Sequence, residues 1–177
     1  MDIALFQPDI PQNTGTILRL GACLSLPVHI IEPAGFPVSD RAFRRAGLDY
    51  LDHVALRRHV DWDAFERWRL DAGRRLVLLT TKAATNFADL TYRKDDILLC
   101  GQETGGAPSA VHEAAAARVR IPMAPAMRSL NVAVALAMVA GEALRQLGAF
   151  PDGAEDEGSV SHETTVEGQR SRVADYG

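Results

Sequence analysis

The sequence contains little cysteine, little net charge and no long uncharged apolar run. Its two cysteines, Cys23 and Cys100, lie far apart in apolar segments, with no CxxC and no histidine at metal-ligand spacing. A disulfide scaffold and a zinc site are therefore not indicated, and both thiols are expected to be reduced core residues. No segment reaches the roughly eighteen uncharged apolar residues of a membrane span. The N-terminus, "MDIALFQP", has an acid where a signal peptide carries a base, and its apolar core is too short. A cytoplasmic protein without a membrane partner is expected. Also missing are G-x-G-x-x-G and G-x-x-x-x-G-K, so neither a dinucleotide nor ATP is supported.

The formal net charge of −4 argues at first against a nucleic-acid partner, but it is unevenly spread. Residues 151–177 carry seven acids against two bases, which puts −5 in that stretch and leaves about +1 for residues 1–150. Within that body, "RAFRR" (41–45) and "RRH" (57–59) are local basic clusters that could face phosphates or simply be solvated. The length of 177 residues suits one domain with a substantial core, here residues 1–150. The remainder, rich in Gly, Ser, Thr and acids, is expected to be a disordered tail.

Short apolar segments alternate with helical ones. Strands are expected at "IALFQP" (3–8), "PVHIIEP" (27–33), "DHVAL" (52–56), "RLVLLTT" (75–81), "DILLCG" (96–101) and "VRIPM" (119–123). Most are continuously apolar, as in parallel strands covered on both faces. Helices are expected near 14–26, 40–47, 62–72, 109–117 and 129–147. This repeat predicts an α/β domain with a mainly parallel sheet and helices on both faces. Ligands of such sheets bind beyond the carboxyl ends of the strands, where the loops "TTKAATN", "GQETGGAP" and "PMAPAMRSLN" fall.

Three stretches could carry chemistry. "GQETGGAP" has glycines at 101, 105 and 106, which allow a tight turn or a close ligand, and Glu103 could cap a helix or accept from a ligand. In "NTGTILRLGACLSL", Asn13 is placed to cap a helix. Arg19 has only Gly15, Thr16, Ala22 and Cys23 one turn away, so it points either to solvent or into a site or partner subunit. The stretch "MRSLNVAVALAMVAGEALRQ" predicts a helix apolar on every face as far as Gly141, hence buried, that opens on Arg128, Ser129 and Asn131. Those polar residues cap it or present its N-terminus to an anionic or hydrogen-bonding ligand. His29, His53, His59 and His112 show no nucleophile or ligand pattern, and structural roles are expected.

Taken together, "NTGTILR", "LLCGQETGGAP" and "RIPMAPAMRSLNVAVALAMVAGE" resemble motifs one, two and three of the SPOUT superfamily of RNA methyltransferases. "HIIEPAGFPVSDRAFRRAGLDY" and "LTTKA" resemble its short branch that methylates the wobble cytidine or uridine ribose of tRNA. The resemblance spans about residues 2–150. It implies a homodimer with a C-terminal trefoil knot, contrary to the general rarity of knots, and S-adenosylmethionine bound by the knotted loops. By motif, Leu79, Gly101, Glu103, Ile121, Met123, Ser129 and Leu130 would hold that cofactor. Arg19 and Asn131 would be catalytic, and Asn13, Arg44 and Arg45 would meet the tRNA anticodon stem-loop. No metal is implied. Gly105 and Gly141 depart from the Arg and the aromatic usual in that branch. A ribose methyltransferase of another RNA and a non-catalytic RNA-binding or assembly factor remain compatible with the same motifs.

Overall fold

A computed structural model describes residues 1–38 and 53–152. Its strands are β1 (Asp2–Phe6), β2 (Val28–Ile31), β3 (Leu56–His59), β4 (Arg75–Leu79), β5 (Thr85–Asn86), β6 (Asp96–Cys100) and β7 (Ala117–Arg120). Its helices are α1 (Pro11–Cys23), α2 (Trp62–Asp71), α3 (Ser109–Ala114) and α4 (Val132–Leu147). Among the described residues the sheet has seven strands in the order β3-β2-β1-β6-β4-β7-β5, every pairing parallel.

Strand composition follows position in this order. Every residue of the central strands β1, "DIALF", and β6, "DILLC", is buried, because both faces are covered and both edges paired. The outer strands β3, "LRRH", and β5, "TN", are polar. An edge strand pairs on one side only and tolerates, even benefits from, charge. Two apolar clusters flank the sheet. One packs Ile17 and Leu18 of α1 and Leu136, Val139 and Leu144 of α4 against β1, β2 and β6. The other packs Phe65 of α2 and Val111 of α3 against Ala4, Ile31, Leu78 and Leu99. Helices thus cover both faces.

Several expectations on local structure need correction. The third strand is "LRRH" (56–59) rather than "DHVAL" (52–56), because its register is set by pairing of Leu56–His59 with Val28–Ile31. The "RRH" cluster is dispersed accordingly. Arg58 pairs with Glu32 at 2.7 Å, Arg57 lies 5.0 Å over the Trp68 ring, and His59 is buried. The first helix begins at Pro11, whose missing N–H is no loss at that position, so Asn13 sits inside the helix and caps nothing. The third described helix stops at Ala114 rather than 117. The last begins at Val132, and its N-cap is Asn131 alone, accepting from the N–H groups of Ala133 and Val134. Ser129 lies ahead of it. That helix is also not buried all round: Val134 and Met138 are exposed on one stripe. Cys100 is buried but Cys23 is exposed. The expected helix 40–47 and the "RAFRR" cluster with Arg44 and Arg45 lie outside the described residues, as do residues 153–177 of the acidic stretch.

The amino ends of the strands are locked by ion pairs. Asp96, fully buried, accepts from Arg75 Nη2 at 2.7 Å and from the Arg93 N–H at 2.8 Å. Asp2 pairs with Arg74 at 2.8 Å. On the α1 side, a Cβ on Gly21 would lie 2.5 Å from Val28 Cγ2, so glycine lets α1 settle close to β2. The carboxyl ends are built differently. Going outward from β1 and β6, the chain leaves in opposite directions, which opens a crevice between their following loops.

Candidate functional site

At that crevice lies a cavity of about 430 Å³, within the usual range for small-molecule sites. It is formed where β4, β6 and β7 end and the loops behind them turn. Leu79 comes from the end of β4, Gly101 and Glu103 from the loop after β6, Ile121 and Met123 from the segment after β7, and Ser129 and Leu130 from the approach to α4. All seven residues named by motif as a cofactor pocket therefore line one cavity. Asn13 and Asn131 line it too. Arg19 does not; it is exposed on α1.

The loop after β6 is a tight turn. Gln102 and Gly106 exchange both backbone hydrogen bonds, Gln102 N–H to Gly106 O at 3.0 Å and Gly106 N–H to Gln102 O at 2.7 Å. Gly106 has φ 70, which favours glycine. Gly101 is required for a different reason: a Cβ there would lie 2.6 Å from Ala107 N and from the Gly106 carbonyl carbon. Of the two readings the sequence leaves open, a tight turn or a close ligand, the turn itself already occupies this space. Gly105 and Gly141 are less constrained. A Cβ on Gly105 would meet only the flexible Gln102 side chain, and one on Gly141 would meet nothing.

Three motif residues, distant in sequence, form one hydrogen-bonded line along the cavity. Asn131 Nδ2 donates to Asn13 Oδ1 at 2.9 Å, and Asn13 Nδ2 donates to Glu103 Oε1 at 3.2 Å. Glu103 Oε2 accepts the Asp9 backbone N–H at 3.0 Å. Glu103 thus neither caps α3 nor points freely to solvent. Burial first, and the neighbouring Asp9 carboxyl second, raise its pKa above the ordinary carboxylate value. Cys100 at the base of the turn is fully buried, which pushes its thiol up to about 12 and keeps it neutral.

The cavity also has members that the sequence did not single out: Thr80, Thr81, Gln102, Ala107, Arg120 and Ala135 among them. Most sit within two residues of a strand's carboxyl end, and that general rule was the available signal. Among the described residues Arg120 is the one cation in the lining. Chemically, the cavity offers apolar walls, backbone polar groups at strand ends, one carboxyl of raised pKa and two oriented amides. These suit a nucleoside-like ligand. Among the described residues no group of three or more His, Cys, Asp or Glu gathers as metal ligands, and no helix is long and apolar enough to cross a membrane.

Comparisons with known proteins agree with the motif reading. The SpoU rRNA Methylase family matches residues 1–141. A protein of Beijerinckia indica subsp. indica, described as a tRNA (cytidine(34)-2'-O)-methyltransferase, is 67% identical over 148 residues, covering 84% of this chain and 92% of that protein. A solved structure concerned with 2-OH methylation of C/U34 on tRNA is 40% identical with a TM-score of 0.77, covering 83% of this chain and 95% of that one. An AdoMet-bound rRNA methyltransferase from Sinorhizobium meliloti is 27% identical with a TM-score of 0.73, covering 82% of this chain and 56% of that one. With the motif residues gathered at one cavity and similarity along nearly the whole described length, the chain belongs to the SpoU rRNA methylase family within the SPOUT superfamily.

Proposed function

We propose that this chain is a tRNA (cytidine(34)/uridine(34)-2'-O)-methyltransferase, which transfers a methyl group from S-adenosylmethionine to the ribose 2'-OH of the wobble nucleotide. The observation that carries this reading is the cavity at the carboxyl ends of β4, β6 and β7, in which Asn13, Glu103 and Asn131 form one line beside the motif-derived pocket residues. Relatives of matching length support the tRNA substrate. The tRNA enzyme from Beijerinckia is covered over 92% of its length, whereas the Sinorhizobium rRNA enzyme is covered over only 56% and carries additional chain. A compact chain suits a compact anticodon stem-loop.

In the reaction, the 2'-oxygen attacks the methyl carbon in line, the carbon–sulfur bond breaks with its electron pair passing to sulfur, and the 2'-OH proton leaves to an acceptor. The sulfonium supplies the electrophilic methyl group. Charge is lost as a neutral or anionic oxygen meets that cation, so a dry, aligned site supplies much of the acceleration. Leu79, Ile121, Met123 and Leu130 would give the methyl donor apolar walls, and Gly101 and Ser129 would help hold its nucleoside portion. Asn131 and Asn13 orient the acceptor ribose. A guanidinium is a planar fork of donors with no acceptor, so Arg19 clamps phosphate or stabilises the forming alkoxide rather than acting as base.

Arg19 reaches this chemistry from a second subunit. The stripe Val134 and Met138 on α4, with Leu130 ahead of it, exposes large apolar groups suited to a two-fold interface, and α1 packs beside α4. The same reading assigns a trefoil knot to the segments after β6 and β7, makes residues 1–150 the catalytic domain, places Arg44 and Arg45 against tRNA phosphates, uses no metal, and locates the homodimer in the cytoplasm. The test is methyl transfer from labelled S-adenosylmethionine to an anticodon stem-loop, with the nucleoside identified by mass spectrometry. Label at the 2'-O of position 34 is the expected result; label only on ribosomal RNA would replace the substrate, and no label on any RNA would overturn the enzyme reading.

A further inference from the structure

The proposed chemistry leaves a second carboxyl beside the cavity without a role. Asp9 lies in the short loop between β1 and α1, and its Oδ1 is buried with no hydrogen-bond donor among the described residues. A buried polar atom left unsatisfied is destabilising, and more so when charged. A second acid lies beside this carboxyl: Glu103 Oε2 accepts the Asp9 N–H at 3.0 Å, and the two carboxyls are within hydrogen-bonding reach of each other.

The remaining oxygens of the pair are accounted for. Asp9 Oδ2 accepts from Thr104 Oγ1, Glu103 Oε2 accepts the Asp9 N–H, and Glu103 Oε1 accepts from Asn13 Nδ2. A single proton on Glu103, donated to Asp9 Oδ1, supplies the missing donor and removes the repulsion between two adjacent anions. The directions agree: Glu103 is raised, chiefly by burial, and Asp9 is lowered, chiefly by the hydrogen bond from Glu103. The other titratable groups lining the cavity are Cys100, neutral until about 12, and Arg120.

We propose that Asp9 and Glu103 share one proton and that Asp9 is a positioning residue, holding the Glu103–Asn13–Asn131 line on which the acceptor ribose is aligned; this rests on the 2'-O-methyl transfer proposed above. The line has only one sense. Asn131 Oδ1 is committed to the N–H groups opening α4, so its Nδ2 must face Asn13 Oδ1, and Asn13 Nδ2 must then face Glu103. A carboxyl that can swing would release both amides. Asp9 restrains it twice, through its backbone N–H and through Oδ1. Asp9 is itself backed by the segment after β2: Gly35 N–H donates to Pro8 O at 2.9 Å, and a Cβ on Gly35 would lie 2.9 Å from Asp9 Cβ.

Two substitutions separate the parts of this proposal. Asp9→Asn keeps an oxygen for Thr104 and turns an amide donor toward Glu103, which favours the ionised form of that carboxyl. Asp9→Ala removes the partner. In full-length protein with ¹³C-labelled glutamate, the Glu103 carboxyl should titrate at lower pH in Asp9→Asn than in wild type; an unchanged titration overturns the shared proton. Single-turnover methyl transfer to a wobble anticodon stem-loop should fall about tenfold or more in Asp9→Ala, with the Kd for S-adenosylmethionine within about threefold, because alignment rather than cofactor contact is lost. Asp9→Asn should restore the rate to within about threefold of wild type. An Asp9→Ala rate within twofold of wild type, or a loss matched by lost folded fraction in the melting curve, overturns the positioning role. Failure of wild type to methylate the stem-loop would strike the proposed substrate instead, while the Glu103 titration would still decide the acid pair.

Discussion

Replacing Gly101 with alanine adds one methyl group, and the structure sets what that methyl meets. Its position lies 2.6 Å from Ala107 N and from the Gly106 carbonyl carbon, and 2.9 Å from the Gly106 oxygen. All three are backbone atoms of a turn already closed by two hydrogen bonds between Gln102 and Gly106. No side-chain rotation relieves the contact, so the turn must move. Overpacking of this kind costs about 1–3 kcal/mol. For a domain of this size that lowers Tm by about 3–10 °C. The same movement displaces Gly106 and Glu103 in the cavity wall, so affinity for S-adenosylmethionine should drop at least about tenfold, or about 1.4 kcal/mol. Gly105→Ala is the control: its only contact under 3.0 Å is with Gln102 Oε1, which can turn away, and both Tm and affinity should stay close to wild type. Thermal melts and titration calorimetry on the two variants read both quantities. Wild-type melting and affinity in Gly101→Ala would refute the reasoning, as would equal losses in both variants.

Three further outcomes are expected. Asn131→Asp keeps the cap on α4, where an anion is favoured, but removes the donor to Asn13; Tm should hold while methyl transfer falls about tenfold, and parallel loss of both would return Asn131 to capping alone. His59, buried against Phe65 and Trp68 with Nε2 3.0 Å from His29 Nδ1, is pushed down to about 4 by burial, His29 and Arg57. Because its folded pKa lies below the ordinary 6.5, its neutral form supports the fold above that pH, and stability should decline by about 1–3 kcal/mol as pH falls from 6.5 toward 4. Denaturant melts at pH 7 and pH 5 should show that decline reduced in His59→Gln, and an identical decline would place the acid sensitivity elsewhere. A heterodimer pairing Arg19→Ala with Gly101→Ala should recover about half of wild-type transfer, because one pocket then combines an intact turn with an intact arginine; no recovery in a confirmed heterodimer would place Arg19 within its own chain.

Much of this architecture was legible before any coordinates. The continuous runs "IALF" and "DILLC" read as buried parallel strands, and every residue of β1 and β6 is buried. The helix expected at 62–72 is found at Trp62–Asp71, capped by Asp61, because capping and amphipathic spacing are local properties. Hydrophobicity points to "DHVAL" for the third strand, whereas an edge strand takes its register from the neighbour it pairs with, which puts it at 56–59. Asn13 reads as a cap from its adjacent residues alone. Pro11 carried the better signal, since it marks the first helical position.

Sequence alone determined most of the described strands and helices, though not the place of β3, and it determined which loops would fall at the carboxyl ends of the strands, because periodicity and turn chemistry act over a few residues. The motif resemblance singled out the residues that line the cavity without showing how they meet. Only the tertiary structure decided that β1 lies beside β6, which brings Asp9 and Asn13 to Glu103 across 94 and 90 residues, and that Asn131 meets Asn13 across 118. It also decided that Gly101 serves the turn before it serves a ligand, and that α4 keeps Val134 and Met138 exposed on one side. These outcomes depend on strand order and register, which are set by the packing of the whole sheet against two layers of helices.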